Sequence, residues 1–194
     1  VNKRDIFVAL LTSAVLVGVV LIEAEYRNRQ ADGEIIPDRI GEPPIRNCAA
    51  LPDETLKERI IRHEGRRKCP YQDTRGNWTQ GIGHLLPQHA VDEKNCWTGQ
   101  KVDTVFNHDL ERAEQNAHAD FGHGFYSLPA DAQDILTELS FWIGGAGLSR
   151  FTTFMDLIGK GEYAEAAVDL EQTLLARQVP GRTKELACLL QDVQ

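Results

Sequence analysis

The 194-residue chain lacks the positive charge that a nucleic-acid-binding surface needs. It carries 21 Lys and Arg against 29 Asp and Glu, a formal net charge of −8, and its pI is about 5.2. Nucleic-acid binders show a basic stripe and a high pI, so no nucleic acid is expected among the partners. The chain also lacks any C-x-x-C pair. Its four cysteines, Cys48, Cys69, Cys96 and Cys188, stand alone in sequence, which argues against a zinc site. His63, His84, His89, His108, His118 and His123 form no ligand set, so neither a metal nor a cofactor is expected. There are no internal repeats and no low-complexity tract. What is present is an ordinary globular composition, 42% hydrophobic and 26% charged, of a length that suits one domain with additions. The even cysteine count fits either two disulfides in an oxidising compartment or four buried thiols.

Charge is also missing locally. Residues 6–22, IFVALLTSAVLVGVVLI, contain no charged side chain; Lys3 and Arg4 precede them and Glu23 and Glu25 follow. As a helix this run is about 25 Å long, at the short end of a membrane span. It is long for the apolar part of a cleavable signal, and no small-x-small cleavage site follows. Residues 1–23 are therefore expected to be an uncleaved transmembrane signal-anchor, with a lipid bilayer as partner through residues 6–22. Lys3 and Arg4 should remain on the cytoplasmic side. Residues 24–50 include Gly33, Pro37, Gly41, Pro43 and Pro44 without a sustained period and read as a linker. Residues 51–194 read as the globular domain.

Within that domain, Pro52-Asp53-Glu54 is expected to open a helix with Asp53 as its cap, Leu56, Ile60 and Ile61 as its apolar face, and Gly65 as its stop. Glu64 then lies in the last turn, where the helix dipole disfavours a negative charge unless a cation is beside it. Short β-type pieces follow at 69–71, 78–82 and 84–86, separated by the turn residues 73–77. Thr98 caps a helix with Val102, Val105, Phe106, Leu110, Ala113 and Ala117 on one face, and Pro129 starts another with Ile135, Leu136, Leu139 and Trp142. Further helices are expected near 151–159, 162–174 and 181–192. One helix, a small antiparallel sheet and then a block of helices is an α+β, mostly α, pattern.

Two carboxylates flanking a bond are what glycoside hydrolysis requires: one acid protonates the leaving oxygen, and the other activates water or attacks the sugar. Glu64 at a helix end and Asp73 in the following turn are candidates, with the Thr79 hydroxyl beside them and Gly81 and Gly83 leaving backbone open to a bulky substrate. Carboxylates nine apart are common, so spacing alone carries little weight. The wider pattern is more specific. Glu64, Asp73 and Thr79 within TQGIGH resemble the active-site signature of the T-even-phage lysozymes, glycoside hydrolase family 24. The likeness continues through TGQKVDTVFNHD at 98–109, FWIGGAGLSRF at 141–151, EYAEAAVDL at 162–170 and Pro180-Gly181-Arg182, covering about residues 51–192.

The resemblance implies a two-lobed fold, with a small sheet lobe and a helical lobe, and a substrate, bacterial peptidoglycan. The implied reaction is inverting hydrolysis of the β-1,4 bond between N-acetylmuramic acid and N-acetylglucosamine by a monomer. A lytic transglycosylase and a silent wall-binding or virion structural protein are the alternatives. Glu64 matches the general acid, Asp73 the carboxylate that orients or activates water, and Thr79 the polar residue beside that water. Leu85 and Phe141 match substrate-facing positions across a cleft, with core packing an equal alternative. Arg182 matches an arginine that reaches the acid, through a contact expected to be long or partly solvated. The family positions also allow His84 to pair with Asp109. The fold implied by the resemblance favours the pairings Cys69–Cys96 in the sheet lobe and Cys48–Cys188 near where the ends of the domain meet. Arg59, Arg62, Arg66, Arg67 and Lys68 are expected to form a solvated face, or else a landing site for the wall's carboxylates that offsets the acidic total. The N-terminal run resembles that of the signal-anchor endolysins. This implies an inner-membrane anchor with the domain in the periplasm, or a membrane component of a virion.

Overall fold

Thr55, rather than Asp53, opens the first helix. Its hydroxyl accepts the Glu58 N–H while the Glu58 carboxylate takes the Thr55 N–H, a reciprocal capping box that satisfies two otherwise unpaired donors. Asp53 lies too early in the chain to do this. Helix α1 therefore runs Leu56–Glu64 and stops at Gly65, whose φ of 71° suits glycine. The computed structural model describes residues 48, 51–73, 76–89, 91–144 and 147–193. The expected membrane helix, and the linker apart from Cys48, lie outside the described residues. Among the described residues no helix is long and apolar enough to cross a membrane.

Strands β1 (Arg67–Gln72), β2 (Trp78–Gly81) and β3 (His84–Leu85) form an antiparallel sheet in the order β1-β2-β3. Tyr71 pairs with Thr79, and Thr79 with Leu85. The β1–β2 register slips between Arg67 and Tyr71. This stretch contains Pro70, which has no N–H to give to a ladder.

The rest is helical: α2 (Gly99–Phe121), α3 (Ala130–Ile143), α4 (Thr152–Lys160), α5 (Tyr163–Gln172), α6 (Leu174–Gln178) and α7 (Pro180–Gln191). Thr98 caps α2 by accepting from Lys101 N, and Pro129 stands immediately before α3, as the sequence predicts. The expected helix at 162–174 ends at Gln172. Thr173 then accepts from Ala176 N and starts the separate short α6, because a threonine with extended backbone caps a new helix more readily than it continues an old one.

Two apolar clusters organise the described residues. One joins the helices through Phe125, Leu136, Phe154, Leu170 and Leu186, all fully buried. The other joins α1, the sheet and the start of α2 through Ile60, Ile82, Trp97, Val102 and Phe106. Each such side chain contributes roughly 1.5–3 kcal/mol by leaving water. A mostly helical chain with one small antiparallel sheet is the α+β arrangement expected. Cys69 is bonded to Cys96 and Cys48 to Cys188, with Cα atoms 4.0 and 5.7 Å apart. The first bond ties the loop before α2 to β1. The second ties residue 48 to α7.

Candidate active site

Glu64 is held from two sides. From the sheet, Gly83 comes so close that a Cβ there would lie 3.1 Å from Glu64 Oε2 and 3.3 Å from its Cδ. From α7, 118 residues further along the chain, Arg182 Nη1 donates to Glu64 Oε1 at 2.6 Å. The expected arginine contact therefore exists. It is short rather than long, and its solvation is one-sided: the Glu64 side chain is 24% exposed and that of Arg182 only 6%. The cation that a carboxylate at this helix end calls for is Arg182. Burial of Arg182 means that it meets the acid, and solvent reaches the pair from the Glu64 side.

Arg182 is in turn fixed from behind. Its Nε donates to Glu138 Oε1 at 3.1 Å, and its guanidinium lies 4.6 Å from the ring centre of Trp142. Glu138 on α3 is fully buried, and its other oxygen accepts from Arg59 Nε at 2.5 Å. Sequence reading took Ile135, Leu136, Leu139 and Trp142 as the face of α3 and passed over Glu138. An acid inside that apolar run was the available signal.

The hairpin supplies the other candidates. Asp73 accepts from Asn77 N at 2.8 Å and from Asn77 Nδ2 at 3.1 Å, so its carboxylate is oriented within the turn between β1 and β2. Thr79 is buried on β2, and its hydroxyl donates to Asn77 O at 3.4 Å. Tyr71, across from Thr79, has its phenol pushed up by burial. The Arg67 charge opposes this, and the carboxylates of Glu64 and Asp73 add to it. Tyr71 thus lies in the field of both acids, a position that sequence reading did not assign. Leu85 is 60% exposed and takes no part in either apolar cluster, so core packing does not account for it. Phe141 is half-buried and meets Phe106 edge-on at 5.9 Å, so it packs on the sheet-side cluster.

The glycines differ from expectation. Gly81 and Gly83 do not simply leave backbone open. A Cβ on Gly81 would lie 3.1 Å from the Trp97 ring, and one on Gly83 would meet Glu64. Gly83→Ala adds a clash with Glu64 to the strain of a φ of 68°, a left-handed conformation costing about 1–2 kcal/mol. The expected result is a lower melting temperature and a ~10-fold or greater loss of the wall hydrolysis that the resemblance implies. Gly76→Ala has a similar φ of 81° and open space around it, so it should lose stability but keep activity. Equal activity losses in the two variants would remove the close-approach argument.

The basic cluster is for the most part a solvated face, as expected: Arg62, Arg66, Arg67 and Lys68 are exposed, and only Arg59 is buried. Arg59 is buried on Glu138, Arg62 pairs with Glu54 and Glu185, Arg66 pairs with Asp103, and Arg67 lies over the Tyr71 ring. Four of the five positive charges thus have partners within the chain, three of them at the surface, which leaves little of the cluster free as a landing site. His63 lies 3.3 Å from Glu185 and 3.8 Å from Glu138. Burial first, and then the Arg182 charge, push its pKa down, while the two carboxylates oppose this. His84 Nδ1 lies 2.6 Å from Asp109 Oδ2, the pairing that the resemblance allowed.

Residues 61–185, more than half of the chain, match the family model described as Phage lysozyme. The span includes Glu64, Asp73, Thr79, Leu85, Phe141, Glu138 and Arg182. Two curated relatives are the probable T4-type lysozymes 2 and 1 of Dictyostelium discoideum. Each is 23% identical; the matches cover 68% and 71% of this chain and 91% and 94% of theirs. A third is the pre-baseplate central spike protein Gp5 of Enterobacteria phage T4, 23% identical over 72% of this chain. The chain spans only 28% of that protein's length.

Proposed function

Because this chain belongs to the phage lysozyme family, we propose that it is a muramidase of glycoside hydrolase family 24. Its reaction is hydrolysis of the β-1,4 bond between N-acetylmuramic acid and N-acetylglucosamine in peptidoglycan. Glu64 gives its proton to the leaving glycosidic oxygen. Asp73, oriented by Asn77, directs a water to the opposite face of the sugar, with the Thr79 hydroxyl beside that water. Leu85 and Phe141 line the path of the glycan, and Arg182 acts on the substrate through Glu64. The observation that carries this reading is the short Arg182–Glu64 contact at the end of α1. It brings a cation from α7 to the one helix end where the sequence signature places the acid.

The test is the product. Wall digests should contain reducing N-acetylmuramic acid ends with an inverted anomeric centre. An anhydro end would instead identify a lytic transglycosylase, and no cleavage a silent binding protein.

We place the enzyme as a monomer, with residues 51–194 as the catalytic domain. It is tethered through residues 24–50 to a bilayer anchor at 6–22, so that the domain faces the periplasm. The likeness to a phage spike protein supports a second setting for the same chemistry, a virion-borne enzyme acting at entry. Detection of the chain in purified particles supports that setting, and its accumulation only in the host membrane supports lysis.

A further inference from the structure

We propose that Glu138 is a positioning residue for the reaction: through Arg182 it allows Glu64 to hold a proton. This rests on the reading of Glu64 as the general acid. The argument begins with a count of buried charge. Glu138, fully buried on α3, is shared between Arg59 of α1 and Arg182 of α7. Both arginines are 6% exposed. One nitrogen of each, Arg59 Nη2 and Arg182 Nη2, is buried without a hydrogen-bond acceptor among the described residues. Burial and the Arg182 charge push the pKa of His63 down, so they disfavour a third cation there.

With Glu64 ionised, two guanidinium charges face two carboxylates, and the set is balanced. A working general acid is protonated before it acts. In that state Glu138 is the one carboxylate bonded to the two arginines. Without it, two buried cations would stand beside a neutral Glu64 and pull its proton off, because an opposite charge at this range favours the ionised acid. Sharing Arg182 between Glu64 and Glu138 thus holds the acid in place without forcing it to remain charged.

The surrounding groups do not replace Glu138. On α7, Glu185 is committed to Arg62 and lies beside His63. One turn back on α3, Asp134 is within the field of Arg59, and burial pushes its pKa up. On the sheet side, Tyr71 and Asp73 contribute no cation, and the one that acts there, Arg67, is exposed and lies over the Tyr71 ring. A second consequence follows for Arg59. It competes with Arg182 for Glu138, so removing it leaves Glu138 wholly to Arg182 and weakens the pull on Glu64. The two substitutions therefore act in opposite directions.

The experiment compares Glu138→Gln and Arg59→Met with wild type. Two readouts are taken: the pH–rate profile of wall hydrolysis and the carboxyl 13C titration of Glu64. Glu138→Gln should move the alkaline limb and the titration to lower pH by about one unit, a charge effect of ordinary size at an effective dielectric near 20. KM should be little changed and kcat should recover at acid pH. Arg59→Met should move both readouts to higher pH, and Glu138→Asp, which keeps the charge, should restore the wild-type limb. A purely structural role would lower the melting temperature in both variants and leave the limb in place. Unmoved titrations, or shifts of the same sign, overturn the proposal. If Glu138→Gln does not fold, an upward shift in Arg59→Met upholds it and no shift overturns it. A titration that shifts as expected in a protein without wall hydrolysis would leave the positioning intact and defeat the catalytic reading of Glu64.

Discussion

Glu64→Gln is expected to reduce wall hydrolysis by about 10²–10⁴-fold, the usual contribution of a general acid, while leaving the protein folded. The amide keeps the shape of the side chain and an oxygen that can accept from Arg182 Nη1, but it has no proton suited to transfer. Glu64 is partly exposed, so the charge it leaves on Arg182 is still shared with Glu138 and reaches solvent at the Glu64 edge. The loss should fall on kcat rather than KM, since the proton matters in the transition state and little in binding. Turbidity loss of permeabilised cells, with a circular-dichroism melt as control, measures both parts. A folded Glu64→Gln protein that clears cells at near the wild-type rate would end the assignment of Glu64 as the acid. Asp73→Asn should cost less, because Asn77 can still orient an amide oxygen in the turn.

The largest expected stability change comes from the Cys48–Cys188 bond. It closes a separation of 140 residues, against 27 for Cys69–Cys96. In the chain-entropy treatment these loops are worth about 5 and about 3.5 kcal/mol respectively. For a domain of this size about 5 kcal/mol corresponds to a fall in melting temperature of roughly 10–20 °C. The Cys48→Ser, Cys188→Ser protein should therefore melt below the Cys69→Ser, Cys96→Ser protein, and reductant, which opens both bonds, should lower the wild type below either variant. A Cys48/Cys188 variant that melts no lower than the other would show that native-state strain or residual unfolded-state structure outweighs loop length. The bond also matters to the site, because Cys188 lies on α7, the helix that presents Arg182.

Local order was readable along the chain, because capping, turns and apolar periodicity depend on near neighbours. Gly65 as the end of α1, the turn after β1, Thr98 as the cap of α2 and Pro129 before α3 all follow from residues within a turn of one another. So does Glu64 at a helix terminus, the position that first marked it. The start of α1 was misread by two residues because Asp53 and Thr55 are both good caps. The choice went to the residue with a glutamate three positions on, Glu58. The match to the active-site signature then supplied partners that periodicity does not reveal.

Only the tertiary structure decided which charges are paired and that, of the arginines on and just after α1, Arg59 alone is buried. Arg59, Arg62 and Arg66 looked like one basic face, yet their partners, Glu138, Glu185 and Asp103, lie 79, 123 and 37 positions away. The sequence marks Glu138 only as an acid inside an apolar run, and its partners were hidden for the same reason: a fully buried carboxylate is tolerable only beside cations, and those cations come from α1 and α7. Gly83 looked like open backbone until the fold set it against Glu64. A side chain's sequence neighbours set its local conformation. Its charge state and its room to move are set by whatever the packed chain places within a few ångströms.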